Sequence, residues 1–409
     1  MIFFEFSFTK DHSPPFLAET PTMELPVVDQ WAPVSVDPLF TSEQGRPDLA
    51  LDLILGEAVA RRASDIHLRV GKPPLARIGG ALQPLNFPVV DGDWAADCVH
   101  NSLGTPEAQS DYVARGDHDF ALHVPGVGRF RVNAYRSRGL DSMVLRHVRE
   151  QIPTLEELGL PATARQGALA ASGLVLICGP TGSGKSTTLA AMVGLINAER
   201  AFHILTIEDP IEFLHADQLS SVSQREVRID TSDFASALRS GLRQDPDVIV
   251  IGEIRDLDTM SIALQAAETG HLVLASIHAA SVVDAVQRAI DLFPQEEQVH
   301  ARNVLAEVLQ CVISQRLVAS STPDKRSLLL EIAVTTPRVK QAISNPEKTS
   351  QLFEIMQEGD FYGMFTLQQD AVRRVLAGDV SLESAESVIT SMSDFRLSLK
   401  QSGYRGPHE

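Results

Sequence analysis

Along the 409 residues the hydrophobic pattern changes period several times. Residues 1–48 have almost none. Pro14, Pro15, Pro21, Pro26, Pro33, Pro38 and Pro47 interrupt every apolar run, so the stretch reads as a Pro-rich, disordered tail. An ordered patch or docking peptide is the alternative there, and Met23 is a second candidate start. From Leu51 to Val59 apolar residues cluster as on a helix face. Asp65–Val70 alternates as a strand, with a turn at Gly71–Pro74. Phe120, Leu122 and Val124 alternate, Pro125-Gly126-Val127-Gly128 turns, and Phe130, Val132 and Ala134 alternate again. Met143–Val148 is a further strand. Residues 49–150 therefore predict a small α/β domain with a mainly antiparallel sheet.

Pro153 and Pro161 punctuate a linker at 151–161. From 162 to 335 short apolar runs alternate with helical periods, which predicts an α/β core with a parallel doubly wound sheet. Its strands are expected at Leu174–Ile177, His203–Ile207, Val248–Ile251, Leu272–Ser276 and Leu328–Ile332. Residues 336–409 read as helical, with breaks at Pro346 and Gly359 and a fresh start at Ser381 after Gly378. No internal repeat is visible.

Composition narrows the classes. The chain is 44% hydrophobic and 22% charged, enough to build packed cores, and its formal net charge is −18. Acidity of that size disfavours nucleic acid as a partner, because such binding rests on Lys and Arg neutralising phosphates. The three cysteines, Cys98, Cys178 and Cys311, are scattered, which supports neither a disulfide framework nor a Cys₄ zinc site and fits a reducing compartment. No apolar run approaches the ~18 residues of a membrane span. Met1–Phe8 carries Glu5 and no basic flank, so a signal peptide is not expected. A cytoplasmic protein with only peripheral membrane contact is the expectation.

The most specific motif follows the Leu174–Ile177 run: Gly179-Pro180-Thr181-Gly182-Ser183-Gly184-Lys185-Ser186-Thr187. A helical pattern then begins, with Leu189, Met192, Val193 and Ile196 on one face. Strand, glycine-rich loop and helix are the context in which backbone N–H groups and a helix N-terminus cradle phosphates. Lys185 would reach the β- and γ-phosphates, and the Ser186 hydroxyl would ligate Mg²⁺. ATP and Mg²⁺ are thus the expected ligands.

Other polar residues fall where the later strands end, the edge at which open parallel sheets bind ligands. The second core strand ends in Glu208-Asp209-Pro210, the third in Gly252-Glu253-Ile254-Arg255-Asp256, the fourth at His278. Gly252 stands where many such enzymes place a metal-orienting aspartate, so Glu208 and Asp209 are the alternative metal carboxylates. Glu253 is placed to orient water or accept its proton. Structural readings stay open for several of these: turn or cap roles for Glu208 and Asp209, and core roles for His278 and His271. The small domain concentrates Arg129, Arg131, Arg136, Arg138, Arg146 and Arg149 on one hairpin. That is either a solvated strand face or a set of arginines that reaches a nucleotide.

Together these stretches resemble the type II/IV secretion ATPase family, and within it the PilT-like retraction motors of type IV pili. The resemblance rests on Ala63–Leu68 with Pro73-Pro74, Gly128–Ala134, Gly179–Thr187, Ile207–Phe213, Gln244–Asp247, Gly252–Asp256 and Glu268–His278, in that order. It implies a homo-hexamer of two-domain subunits, with a PAS-like N-terminal domain, a RecA-like P-loop core and ATP between them. It further implies an acidic metal box at Glu208 and Asp209, a catalytic Glu253 and a histidine box at His271 and His278. Arg131, Arg138 and Arg146 match the arginines that approach the phosphates. The implied partners are a membrane-embedded pilus platform at the inner face of the cytoplasmic membrane and, as an accessory arrangement, a second pilus ATPase. Two features depart from the pattern: the Pro-rich tail before residue 49 is extra, and Thr336–Ser344 matches the retraction motors' C-terminal motif only loosely. The assembly and type II secretion relatives carry a four-cysteine zinc module that three scattered cysteines cannot supply, which favours retraction over assembly. A RecA-like nucleic-acid motor and a non-hydrolysing ATP sensor are the competing classes.

Overall fold

Residues 50–148, 151–322 and 325–404 are described by a computed structural model. The expected tail at 1–48, with Met23, and Arg149 lie outside the described residues. Helix α1 (Leu51–Ala60) buries Leu51, Ile54, Leu55 and Ala58. After it come β1 (Asp65–Arg69), β2 (Leu75–Ile78) and β3 (Ala81–Pro84), then α2 (Gly92–Leu103), α3 (Pro106–Arg115), β4 (Asp117–Val124), β5 (Gly128–Ser137) and β6 (Leu140–Val148). The strands form one sheet in the order β3-β2-β1-β6-β5-β4, with every neighbouring pair antiparallel. Strand alternation gives the sheet two unlike faces. Phe130, Val132 and Ala134 of β5 pack with Ile54, Trp94 and Val99 of the helices. Arg129, Arg131 and Asn133 alternate with them and lie on the other face.

Residues 151–161 are packed: Leu155 and Leu160 are buried, and Arg374 donates to the Gly159 carbonyl at 2.7 Å. The second unit runs α4 (Ala162–Ala168), β7 (Gly173–Cys178), α5 (Lys185–Glu199), β8 (His203–Glu208), β9 (Ser221–Glu226), α6 (Phe234–Gly241), β10 (Val248–Ile254), α7 (Leu257–Glu268), β11 (Leu272–Ile277), α8 (Val282–Asp291), α9 (Gln298–Val308), β12 (Leu309–Ala319) and β13 (Arg326–Val334). Its sheet order is β13-β12-β7-β11-β10-β8-β9. The helices cover both faces. Leu174, Leu176 and Cys178 of β7 pack towards α7, α8 and α9, whereas Val175 and Ile177 pack towards α4 and α5. A strand buried on both faces reads as a continuous apolar run, which is why β7, β10 and β11 were visible in the sequence.

Expectation and structure part in four places. The sheet is parallel from β9 to β12, but the strand expected at Leu328–Ile332, β13, runs antiparallel to β12. The few residues between them cannot make the crossover that a parallel pair needs. Strand β12 itself went unrecognised because its apolar residues continue the helical pattern of α9. Strand β9 (SVSQRE) is a polar edge strand without an apolar run. The hairpin β2–β3 was hidden because all four residues of β3 are exposed. Helices α10 (Pro337–Ser344), α11 (Leu352–Gln357), α12 (Leu367–Leu376), α13 (Leu382–Glu386) and α14 (Met392–Gln401) complete the described chain, and α12–α14 bury Val318 and Leu329 at the sheet's outer strands. The three cysteines are buried free thiols. No helix among the described residues is long and apolar enough to cross a membrane.

Candidate active site

The loop between β7 and α5 is shaped by what only glycine can do. Gly179 has φ 151°, and a Cβ there would lie 2.5 Å from both the Gln315 carbonyl and Ser183 Oγ. Gly182 and Gly184 take φ 78° and 90°, so the chain reverses into α5. Where α2, α7 and α8 are capped by Asp91, Asp256 and Ser281, α5 starts without a side-chain cap. Its first amides, from Lys185, Ser186 and Thr187, have no partner within the helix. Ser183 Oγ is buried without a hydrogen-bond partner. Lys185 Nζ donates to the Gly179 and Pro180 carbonyls at 3.0 and 3.1 Å. Burial lowers the Lys185 pKa, and Glu253 and Glu212 oppose that shift. Donors, an uncapped helix end and a cation of this kind suit an anionic polyphosphate.

The loop forms one wall of a cavity of about 260 Å³. Thr181, Lys185 and Ser186 line it together with Glu208, Asp209, Glu212, Gly252 and Glu253. Glu208 accepts hydrogen bonds from the Thr206 hydroxyl at 2.7 Å and the Gln224 amide at 3.1 Å. Burial raises its pKa, and those two donors and the Glu212 amide pull it back. The Asp209–Pro210 bond is cis. Arg255 bridges two of the carboxylates, donating to Glu253 at 2.7 Å and lying 3.7 Å from Asp209. A Cβ on Gly252 would meet the Ile207 carbonyl at 3.2 Å and Glu208 Cα at 3.3 Å. An aspartate at that position would press on the end of β8. Among the described residues no three His, Cys, Asp or Glu side chains cluster tightly enough to hold a metal alone. Ser186 with Glu208 and Asp209 instead makes an open donor set beside the phosphate cradle, which fits Mg²⁺ shared with a phosphate.

The histidines separate. His278 is exposed one residue past Ile277, which pairs with Cys178, so it stands beside the start of the phosphate loop. This excludes a buried core role for it. His271 precedes Leu272 at the other end of β11, with Nδ1 2.9 Å from the Ala266 carbonyl and 3.2 Å from Thr269 Oγ1. A strand of that length puts the two histidines roughly 20 Å apart. Within one chain, His271 therefore does not join the site expected for it.

The arginines separate too. Arg136 pairs with Asp141 at 3.2 Å within its own sheet, and Arg138 is exposed at the β5–β6 turn with φ 57°. Arg146 donates to Asp65 at 2.8 Å, although it lies directly opposite Arg131 in the strand register. Burial opposes ionisation of Asp65, but the Ser64 hydroxyl and Arg146 hold its pKa below the usual value. Two arginines side by side on adjacent strands repel, and an anion between them would relieve this. Arg129 reaches out of the sheet to Glu226 at the end of β9, at 3.0 Å.

Two contributors had escaped the sequence. Glu212 lines the cavity and lies inside the Ile207–Phe213 stretch, which was its only signal. Gln315 of β12 is fully buried; it donates to the Ser183 carbonyl at 2.8 Å and accepts from Thr188 Oγ1 at 3.1 Å. Nothing local marks it.

The model of the family described as "Type II/IV secretion system protein" matches residues 44–386. The chain belongs to this family. It is 41% identical over 332 residues to the type IV pilus retraction ATPase PilT of Pseudomonas aeruginosa, covering 81% of this chain and 96% of the relative. To the type IV pilus ATPase PilU of the same organism it is 36% identical over 352 residues, covering 86% and 92%. A crystal structure of the pilus retraction motor PilT with bound ADP superimposes with a TM-score of 0.79 at 38% identity, covering 85% of this chain and 98% of that one. The family architecture of an N-terminal domain followed by a RecA-like ATPase core is the one found here.

Proposed function

We propose that this secretion-family ATPase is a Mg²⁺-dependent motor that retracts type IV pili as a ring of six identical subunits. The observation that carries the site is the convergence of Lys185, Ser186, Glu208, Asp209 and Glu253 on one cavity beside the phosphate loop. The loop amides and Lys185 would hold the phosphates, Lys185 exchanging the Gly179 and Pro180 carbonyls for phosphate oxygens. Ser186, Glu208 and Asp209 would hold Mg²⁺, which neutralises phosphate charge when bound. Glu253 would orient the attacking water and take its proton, with Arg255 giving way. His278, just past the end of β11, would sense the terminal phosphate. Arg131, Arg138 and Arg146 would approach the phosphates from the N-terminal domain of this or a neighbouring subunit; such arginines are worth on the order of 10³ to 10⁵ in rate. Closure of that domain over the nucleotide would deform the ring against a membrane-embedded platform at the inner face of the cytoplasmic membrane.

Glu253→Gln tests the chemistry: ATP binding is expected to persist while turnover falls by at least about a hundredfold. Wild-type turnover by that variant sinks the assignment. The likeness to PilU supports a second reading, an accessory motor acting beside another pilus ATPase. A deletion strain separates the two. Loss of all retraction with excess surface pili supports the first, and retained weak retraction the second. ATPase activity stimulated by DNA and lost with salt would overturn both.

A further inference from the structure

One buried carboxylate joins the N-terminal sheet to the site. Glu226 ends β9 and is 7% exposed. Its Oε2 accepts from the Arg129 guanidinium at 3.0 Å and from the Ile211 amide at 3.3 Å. Arg129 belongs to β5, whereas Ile211 follows Glu208, Asp209 and Pro210 in the acidic loop. The turn after β9 wraps the same loop. Val227 N donates to the Glu208 carbonyl at 2.8 Å, and Arg228 lies 3.5 Å from Asp209. Asp230 accepts from the Glu226 amide at 2.8 Å.

We propose that Glu226 is a positioning residue that couples closure of the N-terminal domain to the geometry of the Glu208–Asp209 loop, with Arg129 as its trigger. With Arg129 in place, the carboxylate is neutralised and keeps Ile211 and the loop at the cavity. When the N-terminal sheet swings away, a nearly buried carboxylate loses its charged partner, a costly state that Glu226 relieves by turning to water, which releases Ile211. Hydrolysis then depends on closure even though neither residue lines the cavity. Burial raises the Glu226 pKa, and the Ile211 amide and Arg129 counter it, as expected for a carboxylate that relies on these partners. The inference rests on the reading that Glu208 and Asp209 serve the reaction.

The test uses the full-length assembly and the steady-state kinetics of Arg129→Ala, Glu226→Gln, their combination, Arg129→Lys and Glu208→Gln. Each of the first two is expected to lower kcat about tenfold with KM and ADP affinity within about twofold. The combination should be no worse than the poorer single variant, because both break one link. Arg129→Lys should recover part of kcat. Arg136→Ala, whose pairing stays within its own sheet, should match wild type. Multiplying effects in the combination would overturn the coupling. So would a normal kcat for Arg129→Ala alongside a dead Glu208→Gln. Normal hydrolysis by Glu208→Gln would instead remove the site reading and the proposal with it.

Discussion

Gln315 offers a sharp energetic test of how the phosphate loop is held. Its side chain is completely buried and makes one hydrogen bond to the loop backbone and one to Thr188 of α5. Replacing it by leucine keeps the volume and removes both bonds. The Ser183 carbonyl and the fully buried Thr188 hydroxyl are then left without this partner. At about 1–3 kcal/mol for each of the two unsatisfied groups, Gln315→Leu should cost about 2–6 kcal/mol. Thr188→Val removes the donor instead and should cost about 1–3 kcal/mol. The double variant no longer buries the orphaned hydroxyl, so it should be more stable than the summed singles by about 1 kcal/mol or more. Urea unfolding at one protein concentration measures all four corners of this cycle. ATP titration should show a raised KM for Gln315→Leu, since the loop loses its brace. A coupling energy near zero, with an unchanged urea midpoint for Gln315→Leu, would refute the reasoning.

Gly252→Ala should cost about 1–3 kcal/mol and lower turnover, because the new methyl presses on the Ile207 carbonyl and Glu208; thermal unfolding with an ATPase assay checks both. Glu331 of β13 is buried and accepts from the Val282 amide at 3.1 Å; burial pushes its pKa up from 4.5 to about 7, against the pull of Val282 and Arg316. The folded state thus holds the proton more tightly than the unfolded chain, so this contribution is present below pH 4.5 and is lost as pH rises through about 7. Glu331→Gln should flatten the stability profile in that window and be more stable than wild type at pH 8 by on the order of 1–3 kcal/mol; an unchanged profile would show that Glu331 does not titrate there.

Much of the fold was legible because it is written locally. A two-sided apolar strand, a glycine loop and a periodic helix sit next to one another in the chain, so Gly173–Ile196 announces its own structure. The same holds for Phe130, Val132 and Ala134, whose alternation assigns the intervening arginines to the opposite face. Strands β9 and β12 resisted because one lacks apolar residues and the other continues a helical pattern. Their assignment depends on what they pair with.

The phosphate-binding loop and the polar residues that end each strand are written in the chain alone, since loop, strand and turn are set by neighbours in sequence. Which of those ends meet depends on how the strands and sheets pack. Strand direction separates His271 from His278, though both flank β11. Gly252 packs closely against the Ile207 carbonyl and Glu208 at the end of β8. Register places Arg131 against Arg146, and the contact between two sheets turns Arg129 towards Glu226. Gln315, more than a hundred residues from the loop it braces, shows the reason. Burial and hydrogen-bond satisfaction are properties of the packed whole, and no window of sequence contains both partners.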